Sequence, residues 1–162
     1  MLKPVTTESF RSHDASFAII ASQYNARYVD AMVRAARAEL KRAGVKSVRV
    51  VRVPGAYEIP LVAARLAQTA SRLTPHASPP AAIICLGVIL RGETVHAAHI
   101  GEAVSRALMD VQLQHQVPVI HEVLLLENAQ QARVRCLSRR HNRGAEAAQT
   151  ALAMANVMRS LP

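Results

Sequence analysis

AAIICLGVILRGETVH, residues 81–96, opens with ten residues that carry no charge and no strongly polar group. The run is too short to span a membrane, and its Ile, Val and Leu content reads as a strand buried on both faces, as in a parallel sheet. Then it stops abruptly. Arg91, Gly92, Glu93, Thr94 and His96 set a cation, a flexible turn, a carboxylate, a hydroxyl and an imidazole at the strand's carboxyl end. Open α/β sheets bind their ligands at that position.

Downstream the period changes from strand to helix. Ile100, Ala103, Val104, Ala107, Leu108 and Val111 repeat with helical spacing, so a helix is expected from just after Glu93 to about Gln116. Pro118 starts a further strand, PVIHEVLLL. Two helices follow it. Ala129, Ala132 and Cys136 mark the first, and Ala147, Ala151, Met154 and Met158 mark the second, which begins at Asn142 or Gly144.

Upstream, residues 71–80 (SRLTPHASPP) are rich in proline and small polar residues and read as a surface loop. Residues 56–70 read as a helix with Pro60 in its first turn, where a missing N–H costs nothing. Ser47–Val53 alternates valines with Arg49 and Arg52, which suggests a strand near the sheet edge with one partly wet face. Val29, Met32, Val33, Ala36 and Leu40 form the apolar stripe of a helix ending at Gly44, and SFAIIA at 16–21 reads as the first strand.

The order βαβαβαβ followed by two helices predicts an α/β fold: a four-stranded parallel sheet with helices on both faces and right-handed crossovers. The strand exits are SQYN at 22–25, PGAYEIP at 54–60, RGETVH at 91–96 and LLLEN at 124–128. In such a sheet all of them lie along one edge, where residues distant in sequence can line one cleft.

At 162 residues the chain fits one domain, expected over residues 16–162 behind a flexible N-terminal tail at 1–15. The net charge of +9 is carried almost entirely by arginine. The arginines are scattered, aromatic content is 3% with no Trp, and no RNP, zinc-finger or KH signature is present. A basic surface without a nucleic-acid partner is therefore expected. Cys85 and Cys136 show no CxxC or Cys/His metal spacing and read as buried reduced thiols, with no metal. The first fifteen residues contain no apolar run that would make a signal peptide or membrane anchor, so a cytoplasmic protein without a membrane partner is expected.

Neither GxGxxG nor GxxxxGK[ST] follows a strand, and no GxSxG elbow occurs. In RGETVH, Gly92 lets the backbone approach a ligand, and the N–H groups of Glu93, Thr94 and Val95 at a helix start form an anion site. His96, one turn into that helix, would move protons beside it. The plainer reading of the same residues is a Thr94 helix cap and a solvent-exposed His96. PGAYEIP offers Gly55 and Ala56 as a tight backbone surface, Tyr57 as a flat wall and Glu58 as an acceptor for hydroxyls, or else an ordinary strand-to-helix turn. Tyr24 could stack on a planar ring or cover the core edge. Arg133, Arg135, Arg139, Arg140, His141 and Arg143 form the densest basic cluster, either a solvated face or the source of one phosphate-binding guanidinium.

Together, VRVPGAYEIPL at 51–61, CLGVILRGETVH at 85–96, VPVIHEVL at 117–124 and HNRGAEAA at 141–148 resemble, in order, the motifs of the lumazine synthase family. The resemblance implies a flavodoxin-like, three-layer α/β/α sandwich working as pentamers, or assemblies of pentamers, with sites between neighbouring subunits. It implies a transferase of riboflavin biosynthesis that joins 5-amino-6-ribitylaminouracil to 3,4-dihydroxy-2-butanone 4-phosphate, giving 6,7-dimethyl-8-ribityllumazine, phosphate and water, with no metal or organic cofactor. By position, Tyr24 would stack on the pyrimidine, Gly55, Ala56 and Glu58 would hold the ribityl chain and ring edge, with Tyr57 beside them among the substrate-binding residues, and Val88 and Ile89 would line the ring pocket. Gly92, Glu93 and Thr94 would present amides to the phosphate, Arg135 of a neighbouring subunit would clamp it, and His96 would transfer protons.

Some positions depart from the family pattern. His121 stands where a neighbouring subunit usually supplies an apolar aromatic, Arg143 replaces a lysine near the site, Ala98 replaces an acidic residue, and Leu125 and Leu126 replace threonines. These departures admit a second reading, a weakly active or non-catalytic flavin- or lumazine-binding relative that forms a shell or carrier.

Overall fold

The computed structural model describes residues 15–68 and 78–162. The expected N-terminal tail and most of the proline-rich loop lie outside the described residues. β1 (Ser16–Ser22), β2 (Ser47–Val53), β3 (Ala82–Leu90) and β4 (Val119–Leu126) form one parallel sheet in the order β2-β1-β3-β4. The apolar run at 81–90 thus supplies an interior strand, with β1 on one side and β4 on the other. β2 is an edge strand, as its interleaved arginines required.

The helices are α1 (Ala26–Arg42), α2 (Ile59–Ala67), α3 (His96–His115), α4 (Ala129–Ala132) and α5 (Arg143–Ser160). They divide between the two faces of the sheet. α1 and α5 cover Phe17, Ile19, Ile84 and Leu86 with Met32, Leu40 and Leu152, all buried. α2 and α3 cover Ile20, Ile83 and Cys85 with Ile59, Val104 and Leu108. Alternate residues of β1 and β3 therefore enter different layers, and each fully buried Leu or Ile contributes about 1.5–3 kcal/mol. This is the three-layer α/β/α arrangement of flavodoxin-like proteins.

Gly144, the second residue of α5, sits directly on α1. A β-carbon there would stand 2.1 Å from the Met32 carbonyl oxygen, so only glycine permits this crossing.

Some boundaries differ from the sequence reading, each for a local reason. Residues 56–58 form a 3-10 turn and the α-helix begins at Ile59, with Pro60 in its first turn; the expected end at 70 lies outside the described residues. α3 begins at His96 itself, because Glu93 and Thr94 form a bend that carries the chain out of the sheet. His96 is thus the first residue of that helix, not one turn into it. The helix marked by Cys136 is only one turn of α-helix before it widens into a π turn at Arg133–Leu137. Such turns recur at functional sites. No helix among the described residues is long and apolar enough to cross a membrane.

β4, the other edge strand, has two of its outward N–H groups capped by side chains. The carbonyls of Pro118 and Leu126 face β3, so Val119 and Val123, of opposite parity, point their N–H groups outward. Gln112 Oε1 accepts from Val119 N–H at 2.9 Å, and His121 Nδ1 accepts from Val123 N–H at 3.1 Å. Capped amides blunt the edge.

Candidate functional site

β2 and β3 lie on opposite sides of β1, so the strand order reverses between β1 and β3, and the exits of those two strands flank the crevice where α/β sheets bind ligands. Asn25, in the left-handed conformation at φ 57°, donates from Nδ2 to the Val88 carbonyl at 2.8 Å and pins the two exits together. The β2 exit joins them: Gln23 N–H and Tyr24 N–H both donate to the Pro54 carbonyl, at 3.2 and 3.1 Å.

Tyr24 is 71% exposed, so it does not cover the core. Its ring lies against Gly55, where a β-carbon would meet Cδ2 at 3.1 Å and Glu58 Oε2 at 2.9 Å. Glycine there brings ring, backbone and carboxylate into one surface. Gly55 N–H donates to Glu58 Oε2 at 2.8 Å, so one carboxylate oxygen of Glu58 closes the turn. Ala56 is buried beneath it, while Tyr57 stands out, 61% exposed.

At the β3 exit, residues 91–96 are all exposed. Among the described residues, the amides of Gly92, Glu93, Thr94 and Val95 have no hydrogen-bond acceptor. Thr94 Oγ1 accepts from His96 N–H at 3.4 Å, a weak cap on the helix start. Arg91 is tied back by Glu127, Nε to Oε2 at 3.1 Å. An exposed run of unbonded amides ending at an imidazole can hold an anion beside a proton-transfer group.

Val88 and Ile89 part company. The Val88 side chain is 2% exposed in the layer under α1 and α5, so toward the crevice it offers backbone, not a wall of the expected ring pocket. Ile89 faces the α2–α3 layer and is half-buried. Ser22, expected as part of the polar exit, is instead the last residue of β1 and 1% exposed, its Oγ without a hydrogen-bond partner among the described residues.

His121 points into the α2–α3 layer, where Nε2 lies 2.7 Å from Ser105 Oγ. Because Nδ1 accepts from Val123 N–H, the neutral ring carries its proton on Nε2 and donates to Ser105, whose hydroxyl donates to the Gly101 carbonyl at 2.8 Å. The proton points away from the ring's only basic nitrogen, so this pair does not activate serine as a nucleophile. Burial holds the His121 imidazole below its ordinary pKa, against a backbone hydrogen bond that raises it.

Arg135 lies in the π turn, exposed and without an ion-pair partner among the described residues. No hydrogen bond or ion pair of the described chain joins it to residues 92–96. Arg143 is engaged within the chain: Nε and Nη2 bond Glu122 at 3.0 and 2.9 Å, and Nη1 bonds Glu146 at 2.6 Å. Each of its three guanidinium nitrogens thus has a carboxylate partner within the chain, whereas Arg135 has no ion-pair partner among the described residues. Burial works against the Arg143 charge, but the two carboxylates outweigh it and raise its pKa. Glu122, 7% exposed, is pushed up to about 7 by burial in spite of Arg143. Sequence reading passed over Glu122, since its partner is 21 residues away.

Cys85 and Cys136 are free and buried; burial raises both thiols, Cys136 to about 11. Among the described residues no group of three or more His, Cys, Asp or Glu side chains could hold a metal ion. A separate basic groove, lined by Arg34, Arg37, Lys41 and Lys46, lies between α1 and the start of β2, at the other end of the sheet from the strand exits.

The sequence model described as 6,7-dimethyl-8-ribityllumazine synthase matches residues 14–159, which include every strand exit. The chain is 43% identical over 150 residues to the 6,7-dimethyl-8-ribityllumazine synthase of Stenotrophomonas maltophilia strain R551-3, covering 91% of this chain and 92% of that one. It is 43% identical over 154 residues to the protein of the same name from Xanthomonas campestris pv. campestris strain B100, covering 94% and 95%. Against that of Xanthomonas euvesicatoria pv. vesicatoria strain 85-10 the identity is 42% over 154 residues.

Proposed function

Because this chain belongs to the 6,7-dimethyl-8-ribityllumazine synthase family, we propose that it is the transferase that forms 6,7-dimethyl-8-ribityllumazine in riboflavin biosynthesis. Its substrates are 5-amino-6-ribitylaminouracil and 3,4-dihydroxy-2-butanone 4-phosphate. The observation that carries this is the near-full-length identity to synthases of that name.

The 5-amino group adds to the ketone and loses water to give an imine. The carbon next to the imine then loses a proton as the phosphate leaves the following carbon, and the resulting enol becomes a ketone. The ribityl-bearing nitrogen adds to that ketone and expels a second water, closing the ring. The protein must hold two substrates together, anchor a phosphate and relay protons.

The residues divide these tasks. Tyr24 stacks on the pyrimidine over Gly55, with Ala56, Tyr57 and Glu58 along the ribityl chain and Ile89 at the ring edge. The amides of Gly92, Glu93 and Thr94 bind the phosphate, and His96 beside them carries the protons. The exposure of those amides and of His96 supports this assignment. Val88 contributes by fixing Asn25, and His121 by bracing the edge of β4. Arg135 completes the phosphate site from a neighbouring subunit.

Assembly into pentamers accounts for apolar side chains that one chain leaves uncovered. Leu61 on α2 is 76% exposed, and Met109 and Leu113, four apart on α3, are 52% and 61% exposed. Neighbouring subunits cover them. Two buried free thiols fit a reducing, cytoplasmic setting.

Expression of this chain in a riboflavin auxotroph lacking its own lumazine synthase tests the reading. Growth without riboflavin is expected; failure to grow while the protein accumulates in folded form contradicts it.

A further inference from the structure

Glu122 is the most deeply buried carboxylate of the described chain, and the contacts around it form a continuous route. It lies on β4, facing α5. Both of its oxygens accept from Arg143, the first residue of α5, in a bidentate pair of 2.9 and 3.0 Å. Asn142, immediately before, caps α5 by accepting from Gly144 N–H at 2.9 Å, and its Nδ2 donates to the carbonyl of Cys136. Cys136 adjoins Arg135 in the π turn. Gly144 is pressed on the Met32 backbone, so the start of α5 cannot slide toward α1 to compensate for a lost partner.

We propose that Glu122 is a positioning residue for Arg135: through Arg143 and the Asn142 cap it holds the π turn in the place from which Arg135 reaches the substrate phosphate. This rests on the phosphate-binding role given to Arg135 above. It assigns Arg143 to the support of the site, since its Nε, Nη1 and Nη2 each donate to Glu122 or Glu146. A bidentate guanidinium–carboxylate pair fixes direction as well as distance, which an amine in its place would not.

The groups facing Glu122 are Arg143 and Glu146 from α5 and Arg135 and Cys136 from the π turn. Protonation of Glu122 weakens the pair, so the brace loosens as pH falls through neutrality, where burial has placed this carboxyl.

The test is a double-mutant cycle on the assembled enzyme, reading KM for each substrate and the calorimetric Kd for inorganic phosphate. Glu122→Gln keeps the shape and removes the charge. It is expected to raise the KM of the butanone phosphate and the Kd of inorganic phosphate about tenfold, with the KM of the pyrimidine changed less than twofold. In an Arg135→Ala background the same substitution should have no further effect on phosphate, because the residue it positions is gone. Additive losses, or equal weakening of both substrates, overturn the proposal. If Glu122→Gln does not fold, Arg143→Lys is read in the same way. Wild-type protein that binds phosphate with the expected coupling but makes no product leaves this inference standing and removes the proposed reaction.

Discussion

Asn25 donates its side-chain amide to the Val88 carbonyl at 2.8 Å, tying the start of α1 to the end of β3 across the crevice. Asn25 also adopts φ 57°, a conformation that asparagine tolerates and alanine resists. Asn25→Ala loses the bond and gains backbone strain, about 2–3 kcal/mol together; Asn25→Gly loses only the bond, about 1 kcal/mol. Urea denaturation distinguishes them, and equal losses contradict the assignment of strain.

Gly144→Ala should be among the most damaging single-atom additions in the chain. The new carbon would stand 2.1 Å from the Met32 carbonyl oxygen, which is backbone and cannot rotate away. A loss of about 3 kcal/mol is expected, near 6–12 °C in thermal midpoint for a domain of this size. An unchanged midpoint would mean that α5 shifts freely on α1.

His96→Ala should retain binding of both substrates while turnover falls about a hundredfold, the lower end for a general acid–base, since this imidazole is open to water that can partly replace it. Single-turnover kinetics separate the steps. An unchanged rate removes His96 from the mechanism.

Arg135→Ala should weaken the butanone phosphate about tenfold to a hundredfold, the worth of one or two charge-assisted hydrogen bonds, without matching loss of pyrimidine affinity. Equal weakening of both substrates would place Arg135 elsewhere.

Glu122 links stability to pH. Its carboxyl sits at about 7 in the folded chain against an ordinary 4.5, so the folded state binds more protons than the unfolded between those values. The stability this adds is fully present below pH 4.5 and lost as pH rises through 7. Glu122→Gln lacks that dependence, so relative to wild type it should gain stability from pH 5 to pH 8 by up to roughly 3 kcal/mol. A difference that stays flat with pH contradicts the raised carboxyl.

The strands were legible because burial on both faces leaves little besides Val, Ile, Leu and Ala, and the edge position of β2 showed in Arg49 and Arg52. The start of α3 was not, because Glu93 and Thr94 are residues that also begin helices, and only the turn after Gly92 decides that His96 comes first. The reach of Arg143 was hidden for another reason. A basic run marks charge, whereas Glu122 and Glu146, which consume that charge, come from another strand and from the following turn. Val88 carried no sign that its carbonyl, not its side chain, faces the crevice, since both strand faces are apolar.

The initial rate of 6,7-dimethyl-8-ribityllumazine formation from both substrates, followed with and without protein, tests the central claim most directly, because the condensation also proceeds slowly uncatalysed. Product formation well above the background, proportional to protein and saturable in each substrate, is the predicted result. A rate equal to the background in the presence of folded protein that still binds ribityl compounds would contradict it and leave a binding protein on the same fold.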